Sequence, residues 1–250
     1  MGKSILYFDD ITVNFDGFKA IDGLNSFIDP GELRFLIGPN GAGKTTLLDV
    51  ICGRVKPSSG GAFFREHIDL SRLHEHQIAQ MGIGRKFQTP SVFTNLSVYE
   101  NLELSLRQSK GVFSCLLGKK SREKDERIFT TLDRIGLVNK AWYKAGSLSH
   151  GEKQWLEIGM LLAQEPEVLL LDEPVAGMTK EETEKTGILL QGIVKDRTVV
   201  TVVVVEHDMD FVRDFASMVT VMHEGKILCE GPVEKVQSDP RVVEVYLGRG

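Results

Sequence analysis

The chain changes its hydrophobic rhythm several times, and each change marks an element. Near the start, Ile11, Val13 and Phe15 alternate with polar neighbours, the period of a half-buried strand. Residues 1–37 therefore read as antiparallel strands, with Asp29-Pro30-Gly31 as a turn before the apolar run Leu33 to Ile37. From Lys44 to about Ile51 the apolar spacing becomes helical, and Lys56-Pro57-Ser58-Ser59-Gly60-Gly61 reads as a loop. Helical spacing returns over Gly151 to Gln164 and again over about Lys180 to Val194. Between and after these helices lie an uninterrupted apolar run, Val168 to Leu171, and a β-branched run, Thr198 to Val205, whose apolar character is interrupted at Thr201, as expected of strands covered on both faces. Strands alternating with helices predict an α/β fold with a mostly parallel sheet and helices on both faces.

The stretch from about 90 to 146 differs, being mostly helical and more charged. Within it, Arg107 to Arg127 holds seven Lys/Arg against three Asp/Glu around Val112, Phe113, Leu116 and Leu117. A solvated helical face accounts for that charge run better than a binding site does.

Where the Leu33–Ile37 strand gives way to a helix stands Gly38-Pro39-Asn40-Gly41-Ala42-Gly43-Lys44-Thr45, with Thr46 continuing the helix. Glycines at this spacing let successive backbone N–H groups curl around a polyphosphate, and the helix N-terminus adds a positive dipole end. Lys44 is placed to reach the β- and γ-phosphates, and the Thr45 hydroxyl to ligate Mg²⁺. The pattern implies binding of a nucleoside triphosphate.

Three further groups fall where such chemistry needs them. Asp172 and Glu173 follow the apolar run Leu169-Leu170-Leu171, and the carboxyl ends of strands are where open α/β sheets bind ligands. There Asp172 can hold Mg²⁺ through water and Glu173 can polarise a water attacking the γ-phosphate. His207, after Val202 to Val205 and Glu206, reaches the same edge and suits a γ-phosphate contact. Gln88, before Thr89-Pro90, is ordinary loop chemistry by itself. Ser149, with Glu152 three residues later, reads as a helix capping box.

The ordered set of phosphate loop, Gln88, Leu148-Ser149-His150-Gly151, Leu169 to Pro174 and Glu206-His207-Asp208 resembles the ATP-binding cassette of ABC transporters. The resemblance covers essentially all 250 residues. It implies one ATP-binding domain of the P-loop NTPase class, over 1–250, with an antiparallel β subdomain and a helical subdomain at about 90–146. It further implies ATP and Mg²⁺ as cofactors and a head-to-tail dimer with a second, related cassette, in which Ser149 and Gly151 act in trans. Phe15 falls where an aromatic stacks on adenine, and Gln88 where a glutamine senses Mg²⁺ and attacking water. The other implied partners are two transmembrane permease subunits and, indirectly, a periplasmic solute-binding protein. The expected location is the cytoplasmic face of the membrane.

The chain departs from that family's pattern in two places. His150 and Glu152 replace a glycine and a glutamine of the signature, and Thr179 stands in place of an aspartate. Gly82 to Gln88, Pro174 to Met178 and the tail from Asp239 to Gly248 resemble the branched-chain amino-acid uptake group. Within it, Leu148 to Met160 and Val203 to Met209 look most like the ATPase of urea importers, which makes urea the expected solute and a branched-chain amino acid the alternative. A soluble ABC ATPase, or a kinase or GTPase, is the more distant reading. The first lacks the sustained heptads of a repair-type coiled coil, and the second leaves Leu148 to Gln154 unexplained.

Composition narrows the field further. A net charge of −5 gives no reason to expect nucleic-acid binding. The three cysteines, Cys52, Cys115 and Cys229, are far apart and form no ligand cluster, consistent with free thiols. No apolar stretch approaches bilayer length, and the N-terminus has no signal-peptide core, so a membrane role must come through partners. His74-Glu75-His76 lacks metal-ligand spacing, and His67 and His223 read as surface or packing residues.

Overall fold

The computed structural model describes residues 4–86, 91–106, 119–195 and 200–247. In chain order these form β1 (Leu6–Phe15), β2 (Phe18–Ile28), β3 (Leu33–Ile37), α1 (Lys44–Ile51), β4 (Ser59–Phe64), β5 (Ile68–Asp69), α2 (Glu75–Gln80) and β6 (Ile83–Lys86). There follow α3 (Val98–Ser105), α4 (Lys119–Arg134), α5 (His150–Leu162), β7 (Val168–Asp172), α6 (Lys180–Lys195) and β8 (Thr201–Val205). The chain ends with α7 (Met209–Phe215), β9 (Met218–His223), β10 (Lys226–Gly231), α8 (Val233–Gln237) and α9 (Pro240–Leu247).

Two sheets organise these elements. The larger has the order β10-β9-β3-β8-β7-β6, parallel except where β10 pairs antiparallel with β9. The smaller is the antiparallel sheet β2-β1-β4-β5. The reading of 1–37 as antiparallel strands holds for β1 and β2 and fails for Leu33–Ile37. That segment is buried at every position, which suits a central parallel strand with cover on both sides. The run expected over 198–205 is a strand from Thr201, and residues 196–199 lie outside the described residues.

The side chains of β3, β7 and β8 point alternately to two cores. Leu36, Leu170, Val203 and Val205 meet α1 and the inner face of the antiparallel sheet. Phe35, Leu169, Leu171, Val202 and Val204 meet α5, α6 and α7. Each such side chain contributes roughly 1.5–3 kcal/mol by leaving water, so the middle of the large sheet carries much of the burial that holds the fold together. A third cluster joins Val98 and Leu102 of α3, Ile128 and Leu132 of α4, and Leu156 of α5. Helix α5 therefore serves two cores, with Leu156 in one and Ile158 in the other. On α4, Arg122, Glu123 and Glu126 are exposed, as a solvated face requires, while Val112, Phe113, Leu116 and Leu117 lie outside the described residues.

A buried polar knot joins the two sheets. Arg34 of β3, only 2% exposed, pairs with Glu32 at 2.5 Å and with Glu230 of β10, and donates to Thr220 at 2.9 Å. Glu230 also accepts from Ser26 of β2 at 3.0 Å, and Arg34 donates to the Phe27 carbonyl of β2 at 3.4 Å, so one guanidinium ties β3 to β2, β9 and β10. Among the described residues no helix is long and apolar enough to cross a membrane.

Candidate functional site

Parallel strands end together, and the site follows from what stands at those ends. Register pairs Leu36 with Val205, Val205 with Asp172, and Leu171 with Lys86, so β3, β8, β7 and β6 finish at one edge. The loop Gly38 to Gly43 leaves β3 there, Glu206 and His207 leave β8, and Glu173 leaves β7. Gln88, which follows β6, lies outside the described residues.

The loop has the shape of an anion cradle. A Cβ on Gly38 would stand 2.1 Å from the Met222 carbonyl oxygen, and one on Gly43 2.4 Å from that of Ala20. Both glycines have positive φ, +148° and +98°, and neither position admits a side chain. Gly41, at φ +81°, faces open space instead. Helix α1 starts directly after Gly43 with no side-chain cap and no acidic residue in its first turn, which leaves its amides and positive dipole end for an anion. Lys44 is buried, and its Nζ donates to the carbonyls of Gly38 at 2.7 Å and Pro39 at 2.9 Å. Burial pulls its amine below the ordinary lysine range, against the nearby charges of Glu173 and Asp172. Thr45 is exposed beside it, and Thr46 is half-buried.

Asp172 is 3% exposed, and its Oδ1 has no hydrogen-bond partner among the described residues. Its Oδ2 lies 3.7 Å from Arg85, whose guanidinium also donates to Asp49 of α1 at 2.7 Å. Burial pushes the Asp172 carboxyl above the usual carboxylate range, with Arg85 opposing the shift. A buried carboxylate oxygen without a donor, at the sheet edge that also carries the phosphate loop, suits a hard divalent cation such as Mg²⁺.

Glu173 adopts φ +48°, a left-handed conformation costing a non-glycine residue about 1–2 kcal/mol. The sheet holds it there through its amide, which donates to the Val205 carbonyl at 2.9 Å. Its Oε1 then meets His207 Nε2 at 3.0 Å. Buried Glu206 links the same two loops, accepting from the amides of Val175 at 3.3 Å and His207 at 3.0 Å.

Ser149 and Gly151 stand at the start of α5, where Ser149 and Glu152 form the expected capping box. Ser149 Oγ donates to Glu182 of α6 at 3.0 Å, and a Cβ on Gly151 would strike that same carboxylate. The His150 ring turns toward its own chain, with Nε2 3.2 Å from the Ala176 carbonyl oxygen. Thr179 has a local task, since its hydroxyl and amide form a reciprocal cap with Glu182 at the start of α6. Phe15 is exposed at the tip of the β1–β2 hairpin, paired with the still more exposed Phe18. Ala20, two residues beyond Phe18, carries the carbonyl that abuts Gly43, so this hairpin end borders the phosphate loop.

The sequence reading gave no role to four contributors: Arg85, Glu206, Glu182 and Phe18. A buried carboxylate or guanidinium at a strand end has no local signature that separates it from a turn charge.

A glycine-lined phosphate loop between a central parallel strand and a helix, with an Asp-Glu pair at the same sheet edge, defines a P-loop nucleoside-triphosphate-binding protein. Comparison with known proteins is more specific. The family model described as "ABC transporter" matches residues 21–176, and one described as "Branched-chain amino acid ATP-binding cassette transporter" matches 226–250. The chain is 35% identical to the high-affinity branched-chain amino acid transport ATP-binding protein LivG of Escherichia coli, over 99% of each chain. It is 32% identical to the corresponding protein BraF of Pseudomonas aeruginosa, again over 99% of each. Among solved structures, an ATP-binding cassette of an ABC transporter in its ADP conformation superposes with a TM-score of 0.83 at 32% identity, covering 98% of this chain and 99% of that one. The chain belongs to the ABC transporter ATP-binding family, in its branched-chain amino acid uptake group, and is an ATPase of that class.

Proposed function

We propose that the chain is the ATP-hydrolysing subunit of an importer for branched-chain amino acids, working as half of a cassette dimer on two permease subunits at the cytoplasmic face of the membrane. The observation that supports the reaction is the convergence of the phosphate loop, Asp172, Glu173 and His207 on one sheet edge. The names of the relatives support the solute. They favour branched-chain amino acids over urea, which stays as the second reading on the strength of Leu148 to Met160 and Val203 to Met209. A heteromeric dimer and a periplasmic solute receptor belong to the same proposal. The pairing itself has a parallel in a bacterial ABC transporter cassette described as dimeric, 25% identical to this chain with a TM-score of 0.74.

In this mechanism the amides of Gly41 to Thr46 and Lys44 Nζ take the β- and γ-phosphates, and Lys44 gives up its carbonyl partners to do so. The Thr45 hydroxyl and Asp172, with Gln88 as a further ligand, would hold Mg²⁺, which would supply neutralisation of phosphate charge. Pro39, Asn40 and Ala42 shape the loop, and Phe15 stacks on the base. Glu173 accepts a proton from a water in line with the γ-phosphorus. The oxygen of that water bonds to phosphorus as the bridging bond to ADP breaks. His207, oriented by Glu173 and Glu206, donates to the γ-phosphate oxygens as their charge spreads. Ser149 and Gly151 contact the nucleotide held by the partner cassette, after Ser149 exchanges Glu182 for phosphate.

Uptake of labelled leucine and labelled urea in cells lacking the chain tests the proposal. Loss of leucine uptake, restored by wild type and not by Glu173→Gln, supports it. Loss of urea uptake alone moves the chain to the second reading, and no change in either rejects import of both solutes.

A further inference from the structure

Lys86 and Glu157 are buried charged residues that no step above uses. Lys86 closes β6, in register with Leu171, the residue before Asp172. Its side chain is 0% exposed, that of Glu157 is 7% exposed, and Nζ stands 3.7 Å from Oε2. This is an ion pair, longer than a direct hydrogen bond. The other oxygen of Glu157 accepts the Ser91 amide at 3.1 Å. A single carboxylate on α5 thus ties down the end of β6 and the start of the segment leading to α3.

Stability does not explain the arrangement. Removing two charges from water costs several kcal/mol per ion, and apolar side chains of similar volume hold such a site as well or better. Burial accordingly pushes the Lys86 amine down and the Glu157 carboxyl up, each opposed by the charge of the other. An ion pair does supply one thing that a greasy contact lacks, a fixed distance between two named points. Here the points belong to the sheet edge carrying Asp172 and to the helix whose N-terminus carries Ser149 and Gly151. Glu157 lies about two turns along α5 from Ser149.

We propose that Lys86 and Glu157 are positioning residues that set α5 against the catalytic sheet edge, and so place Ser149 and Gly151 for the partner's nucleotide. The inference rests on the trans role of Ser149 and Gly151 given above. It locates the rigid link between the two faces of one cassette in the pair Lys86–Glu157, and does not depend on Thr179.

The test uses the assembled transporter with three variants, Glu157→Gln, Lys86→Met and the double variant Lys86→Met/Glu157→Met, beside Glu173→Gln. Melting temperature, ATP affinity, and kcat and KM for ATP are measured for each. A positioning role predicts that the double variant melts at or above wild type and binds ATP normally. Its kcat nevertheless falls roughly ten- to hundredfold at unchanged KM, the scale of a misplaced catalytic contact. Glu157→Gln, which keeps the shape and the Ser91 acceptor, shows the same kcat loss. Wild-type kcat in the double variant or in folded Glu157→Gln overturns the proposal, because a packing role recovers with stability. Should Glu173→Gln turn over like wild type, the reading of the reaction fails instead. An inert Glu173→Gln beside a fully active double variant rejects the positioning role alone.

Discussion

His207 Nε2 stands 3.0 Å from Glu173 Oε1, and each residue leaves a buried strand whose neighbour holds the other. In the proposed mechanism this contact joins the proton acceptor to the group that meets the phosphate, so the two are set as a unit before any substrate arrives. Glu173→Gln keeps that shape and removes the base. It is expected to bind ATP like wild type while kcat falls by at least roughly a hundredfold, which single-turnover phosphate release in the assembled transporter will show.

Arg85 holds Asp49 of the phosphate-loop helix and faces Asp172 across 3.7 Å. Arg85→Met leaves Asp172 without its nearby cation and lets it turn. Magnesium-dependent ATP binding should weaken by roughly tenfold or more, the usual effect of losing a group that orients a metal ligand. Binding measured in EDTA should change little, and calorimetric titration with and without Mg²⁺ separates the two.

Gly43 sits at φ +98° against the Ala20 carbonyl, 2.4 Å from where a Cβ would stand. Gly43→Ala combines backbone strain with a clash against backbone and is expected to cost about 3 kcal/mol of stability. Gly41→Ala, strained but facing open space, should unfold less readily while still losing nucleotide. Urea denaturation alongside fluorescent-nucleotide titration distinguishes the pair.

Arg34 is the centre of the knot between the sheets. Arg34→Met leaves Glu230 and Glu32 facing each other without their cation, and should destabilise the fold by about 3 kcal/mol. The companion variant Arg34→Met/Glu230→Met should recover much of that loss, as read from urea midpoints.

Burial raises the Glu206 carboxyl above its ordinary value of 4.5. The folded state therefore binds this proton more tightly than the unfolded chain does. The group's favourable contribution is present at low pH and declines as pH rises through the raised value. Stability of wild type relative to Glu206→Gln should accordingly fall as pH rises above the ordinary value of 4.5, as measured by denaturation at a series of pH values.

The main architecture was legible because it is written in periods: alternation in β1, apolar runs in β7 and β8, helical spacing in α5 and α6. The phosphate loop and the capping box of Ser149 and Glu152 were legible because their chemistry is local and short. Leu33–Ile37 was assigned to the wrong sheet, since nothing local says which partners a buried strand will take. Arg85, Lys86 and Glu206 stayed silent for a related reason. A charged residue after an apolar run looks the same whether it meets water or a counter-ion from a distant helix. The task of His150 became visible only with α5 in place, because its partner Ala176 comes from another turn of the fold, whereas the cap of Thr179 with Glu182 is local, three residues apart, and was there to be read.

Lys44 waits with its ammonium already shed of much of its water and leaning on two backbone carbonyls. For this lysine, taking up a triphosphate is then an exchange of one set of oxygens for another, and little of its own hydration is stripped at the moment of binding. The charge also lies where mobile ions screen weakly. Nucleotide affinity should therefore respond to ionic strength far less than the several negative charges on the ligand would suggest, and the site can discriminate by the shape of the phosphate chain more than by its total charge.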